Sequence, residues 1–136
     1  MRILGIDFGL KRIGLALSDP MGIIASPLKT LARTSEDADI LDIVAIVKAE
    51  EVSAIVVGLP KNMDGTEGDS AVFARDFGDK LSAATGVNII FKDERLSSVS
   101  ANRVLDEAGM HWKKRKEVVD TMAAQIILQS YLDIRR

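Results

Sequence analysis

The chain has 136 residues, 47% of them hydrophobic and 28% charged, with a formal net charge of −2 and no cysteine. Such a chain suits one domain, 1–136, with a real hydrophobic core; it is too apolar for disorder and too weakly charged for broad non-specific affinity for nucleic acid. Disulfides, thiolate chemistry and zinc–thiolate centres are excluded; no apolar run nears the roughly 20 residues of a membrane span, and with no secretory leader pattern a cytoplasmic location is expected.

Residues 2–8 and 12–18 are apolar runs joined by Gly9-Leu10-Lys11, which reads as a hairpin. Residues 23–32 predict a third strand, where Pro27 suits an edge or a bulge. From Ser35 the period changes: Ile40, Ile43, Val44 and Val47 share a helical stripe, capped by Thr34 or Ser35. A short apolar strand at 53–58 has the character of one buried on both faces. After the loop 59–69, a helix over about 70–84 carries Phe73, Phe77 and Leu81 at spacings of four. A strand at 87–92 follows, then a helix from about Ser97 or Ser98 ending at Gly109, and a last helix over about 117–133. Three antiparallel strands followed by strand–helix alternation predict an α/β fold, a five-stranded mixed sheet with helices on both faces.

Three carboxylates stand out against this pattern. Asp7 lies in an apolar strand, and alternation puts Gly5 and Gly9 on its own face. The glycines are expected to leave open space around the carboxylate for a metal or a phosphate, whereas the plainer reading is an Asp that caps a turn. Asp93 and Glu94 follow directly on the strand 87–92, where α/β sheets gather ligands. Alternation sends the two to opposite faces, so one of them joins Asp7. Asp120 shares the last helix's apolar stripe with Ala124, Ile127 and Tyr131, and Ala123 and Ala124 are small enough for close approach to the sheet. Together the three describe an oxygen-donor site suited to Mg²⁺ or Mn²⁺, with two ions about 4 Å apart acting on a phosphodiester.

Cations surround these acids in sequence. Lys11 and Arg12 sit at the turn beside Asp7, Arg95 follows the acid pair, and Lys113, Lys114, Arg115 and Lys116 precede the helix with Asp120. These groups, with Asn62 in the glycine-containing loop 59–69, are the candidates for holding phosphates. That loop is not a P-loop, because no lysine–serine/threonine pair follows its glycines. Trp112 is expected to anchor a loop on the core, and His111 to lie at the surface.

The stretches GIDFGLKRIGLALSD, VGLPKNMDGTEG, DERLSS and VVDTMAAQIILQSYL together resemble the YqgF family, described as Holliday junction resolvases related to RuvC and as nucleases maturing the 5′ end of pre-16S ribosomal RNA. The resemblance covers nearly the whole chain; the family's usual DERLTT is DERLSS here. It implies an RNase H-like fold, with Asp7, Glu94 and Asp120 as catalytic metal ligands and Asp93 the alternative to Glu94. It further implies action on pre-rRNA in ribosome biogenesis or on branched DNA. A homodimer and contacts with the ribosome or the transcription machinery are compatible with it. Two other classes stand beside the nuclease: a non-catalytic nucleic-acid-binding protein, and a nucleotide-binding protein suggested by the DFG hairpin.

Overall fold

The computed structural model describes residues 1–60, 68–93 and 112–135, with the backbone alone over 112–118. Its elements are β1 (Arg2–Phe8), β2 (Arg12–Ser18), β3 (Ala25–Ala32), α1 (Glu36–Ala49), β4 (Val52–Leu59), α2 (Asp69–Thr85), β5 (Asn88–Asp93) and α3 (Trp112–Arg135). They form a five-stranded sheet of order β3-β2-β1-β4-β5. The first three strands are antiparallel, and β4 and β5 join in parallel. Parallel neighbours need crossovers; α1 and α2 supply them.

Strand alternation divides the core between the two faces of the sheet. Leu4, Ile6 and Phe8 of β1 join Ile13 and Leu15 of β2 beneath Ile43 and Val47 of α1 and Phe77 and Leu81 of α2. Ile3, Ala16 and Val56 point the other way, against Ala124, Ile127, Leu128 and Leu132 of α3. Asp7 has the parity of Ile3 and so lies on the α3 face. Ser35 caps α1 by accepting from the Ala38 N–H at 3.2 Å. Pro27 sits on an edge strand and at a register shift, which reconciles its missing N–H with pairing.

Two expectations need correction. Phe73 is 52% exposed, while Phe77 and Leu81 are fully buried; α2 seats itself instead through Ala71, Ala74, Phe77, Gly78 and Leu81. The last helix begins at Trp112 and so includes Lys113 to Lys116. No proline or glycine separates 112 from 135, and Lys and Arg are good helix formers, so the basic block continues the helix although cations disfavour a helix N-terminus. The helix expected between Ser97 and Gly109 lies outside the described residues. Among the described residues no helix is long and apolar enough to cross a membrane.

Candidate active site

The site is built on two strands and one helix. Asp7 near the end of β1 and Gly14 in β2 are direct cross-strand partners. Their Cβ positions, real and virtual, stand about 4.5–5.5 Å apart on one face. A side chain at Gly14 would overlap the carbonyl oxygen of Asp120 and come within 3.0 Å of the Asp120 Cβ. The absent side chain at position 14 therefore lets α3 rest directly on β2 and sets Asp120 beside Asp7. The sequence reading placed both acids on this face but missed Gly14, whose signal was the pairing of small sheet residues with Ala123 and Ala124.

The glycines flanking Asp7 have a different purpose from the open space expected of them. A Cβ on Gly5 would stand 2.7 Å from the Leu128 Cβ and 3.0 Å from the Ala124 carbonyl oxygen. Gly5 thus admits α3, as Gly14 does. A Cβ on Gly9 would come within 2.6 Å of the Arg12 carbonyl oxygen, which accepts the Gly9 N–H at 2.9 Å and closes the hairpin turn.

Arg12 was read as a phosphate contact, and the structure gives it a nearer partner. Its Nε donates to Asp120 Oδ2 at 2.6 Å. The Asp120 side chain is only 17% exposed and that of Arg12 35%, so the pair is shielded enough to be more than a loose surface contact. Lys11, one residue earlier, is exposed at the tip of the turn.

Beneath the turn lies a second charge pair. Arg33 donates through Nε to Asp39 Oδ2 at 3.0 Å, and Asp39 is almost completely buried. The guanidinium lies 4.6 Å from the Phe8 ring centroid. The Arg33 N–H donates to the Lys11 carbonyl at 3.0 Å. The hairpin that carries Asp7 and Arg12 is in this way pinned to the start of α1.

At the end of β5, Lys92 pairs with Gly58 and Asp93 with Leu59. Leu59 and Phe91 belong to the α1–α2 side of the core, Ile90 to the α3 side. The register therefore gives Asp93 the face opposite Asp7, and Lys92 the same face as Asp7. Lys92 was not singled out from sequence, although the alternation that placed Asp7 would have found it.

Glu94, Arg95, Asn62 and His111 lie outside the described residues. Lys113 to Lys116 are described as helical backbone one to two turns before Asp120. Among the described residues no group of three His, Cys, Asp or Glu gathers. Asp7 and Asp120 both neighbour Gly14, one as its cross-strand partner and one packed on it, and each offers oxygen donors of the kind hard divalent cations take.

Comparison with known proteins agrees with this architecture. A family model described as "RuvX: Holliday junction resolvase" matches residues 1–134. A Myxococcus xanthus protein named "Putative pre-16S rRNA nuclease" is 46% identical over 136 residues, covering 100% of this chain and 90% of that one. A protein of the same name from Clostridioides difficile is 48% identical over 134 residues, covering 98% of this chain and 95% of the other. Among solved structures, Thermus thermophilus RuvC superposes with a TM-score of 0.59 at 13% identity, covering 99% of this chain and 96% of its own. The fowlpox virus Holliday junction resolvase does so with a TM-score of 0.61 at 10% identity over the whole of both chains. At those identities the likeness establishes the RNase H-like fold alone, whereas the family match and the close relatives carry the assignment: the chain belongs to the RuvX (YqgF) family.

Proposed function

We propose that the chain is a divalent-metal-dependent nuclease, one domain over 1–136, that hydrolyses phosphodiester bonds of structured nucleic acid, with the 5′ end of pre-16S rRNA as its substrate. The observation that carries this reading is the convergence of Asp7 and Asp120 around Gly14, in a chain of the RuvX family.

The two carboxylates fit Mg²⁺ or Mn²⁺, which prefer oxygen donors. When bound, a pair of such ions supplies an activated water and charge stabilisation for the leaving oxygen. Asp7, near the end of the central strand β1, and Asp120 on α3 would hold the ions. Glu94 supplies the third donor in preference to Asp93, because the register turns Asp93 to the other face. Lys92 on the Asp7 face and Lys11 at the turn tip are suited to phosphates, which position a nucleic acid without reading its sequence. Lys113 to Lys116, Arg95 and Asn62 are proposed as further phosphate contacts on the strength of the sequence alone. We place the protein in the cytoplasm, in contact with ribosomal precursors; a homodimer would suit symmetric cutting of a branched substrate.

The family description favours a second substrate, four-way junction DNA, and one experiment separates the two. Precursor 16S rRNA and a four-way junction are incubated side by side with wild type and Asp7→Asn, with and without Mg²⁺ or Mn²⁺. Cleavage of the rRNA precursor is expected only with metal. Asp7→Asn is expected to lose more than about a hundredfold, since even the outer-shell partners of metal ligands cost 10–100-fold. Cutting of the junction alone would transfer the assignment to DNA, and full activity of Asp7→Asn would refute the site.

A further inference from the structure

We infer that Arg12 is the resident counter-cation of Asp120: it holds the carboxylate until a divalent ion arrives, and the ion must displace it or share the carboxylate with it. The inference rests on the reading of Asp120 as a metal ligand.

The geometry is specific. Arg12 opens β2 and Asp120 lies on α3, 108 residues later. The seat of α3 on Gly14 fixes the distance between them, because that glycine lies two residues along β2 from Arg12 and directly under Asp120. Arg12 engages Oδ2 alone, through Nε and not through the two-pronged guanidinium face that usually binds carboxylates. The contact therefore leaves Oδ1 to another partner and the outer guanidinium nitrogens to a phosphate. Asp7, the other carboxylate of this face, is cross-strand partner to Gly14. Without a counter-charge the Asp120 carboxylate, only 17% exposed, would be held in a partly desolvated place at a cost.

A fixed monovalent cation on one ligand has a definite consequence for the site. It settles Asp120 while no ion is bound, and it repels an incoming dication. Arg12 thus weakens metal binding by the free protein. An ion that displaced Arg12 from Asp120 would free the guanidinium for a phosphate, so metal and nucleic acid would each make room for the other, as linkage requires of coupled ligands. A residue that merely oriented Asp120 would have the opposite signature, because its loss would weaken metal binding.

The test is Mn²⁺ titration of the full chain by calorimetry, without nucleic acid, for wild type, Arg12→Gln, Arg12→Lys, Asp120→Asn and the double variant Arg12→Gln/Asp120→Asn. Arg12→Gln is expected to bind Mn²⁺ about tenfold tighter, equivalent to about 1.4 kcal/mol. Arg12→Lys, which keeps the charge on a looser stem, is expected between it and wild type. In the Asp120→Asn background, Arg12→Gln is expected to lose most of its effect, as a double-mutant cycle demands of a direct pair. Unchanged or weaker Mn²⁺ binding by Arg12→Gln would overturn the inference. Should that variant melt early, unchanged or weaker binding by Arg12→Lys would do the same. Failure of wild type to bind Mn²⁺ at all would instead remove the metal-site reading beneath it.

Discussion

Gly14 and Asp120 occupy a space with no room for one more carbon: a Cβ at position 14 would overlap the Asp120 carbonyl oxygen. The obstacle is backbone, so no rotamer change relieves it. Gly14→Ala must push α3 off the sheet. A loss of about 1–3 kcal/mol is expected from overpacking of this kind, read as a lower urea midpoint. Nuclease activity should fall further than the fraction of folded protein accounts for, because Asp120 moves away from Asp7.

Gly5 makes the same demand one layer down. Its virtual Cβ meets the Leu128 Cβ and the Ala124 carbonyl oxygen, neither of which is the end of a flexible side chain. Gly5→Ala is expected to cost about 1–3 kcal/mol, and Leu128→Ala should not rescue it, because the offending Cβ is still present in alanine. Full rescue in the double variant would mean that the outer atoms of Leu128 set the spacing.

The Arg33–Asp39 pair under the turn offers a sharper contrast. Asp39 is 1% exposed and also accepts the Thr34 N–H at 3.3 Å. Arg33→Met would strand that buried carboxylate, at a cost of about 3–5 kcal/mol. Asn at position 39 keeps the acceptor for Thr34 and removes the charge, so Arg33→Met/Asp39→Asn should regain more than half of the loss. Chemical denaturation of the three variants checks this.

At the opposite end of the sheet, Asp19 organises the β2–β3 connection. Its Oδ1 accepts the Ile24 and Ile23 N–H groups, each at 2.8 Å, and its Oδ2 the Met21 N–H at 3.2 Å. The Ile24 bond first, then the Ile23 bond, hold its carboxyl below the ordinary value of 3.8. A carboxyl with a depressed folded-state pKa stabilises above its unfolded value, and that stability is lost as pH falls through the folded value. Asp19→Asn should therefore lower the melting temperature at pH 7 and matter progressively less below about pH 4, the unfolded reference for Asp. An equal effect at pH 7 and pH 2.5 would show that charge has no part in it.

The sheet was legible in the sequence because alternation and the shift to helical spacing are local signals, and β1, β2 and the Ser35 cap follow directly from them. Asp7 and Asp120 were legible for a related reason: each is a charge on an otherwise apolar face. The purpose of the glycines was not. Whether an empty side-chain position admits a ligand or a helix depends on what packs there, and Gly5 and Gly14 are filled by a helix more than a hundred residues away. The Arg12–Asp120 pair was hidden by the same distance. Phe73 misled because spacing by four drifts around a helix, and by one turn it had left the buried stripe. The face that Asp93 takes was a question of register, and its pairing with Leu59 supplied what residue type alone could not.

The seating of α3 on β2 also orders events in time. Asp7 lies in β1 and Asp120 in α3, which follows it in the chain after all the other described elements. During synthesis the hairpin and its neighbours emerge first, since folding proceeds largely from the N-terminus. Among the described residues, the helix that covers the face formed by Ile3, Ala16 and Val56 is the later-made stretch from Ala124 to Leu132. A nascent chain therefore holds one half of its carboxylate pair and cannot join it to the other until α3 has been made, so the pair on which cutting would depend is among the later features of the domain to form.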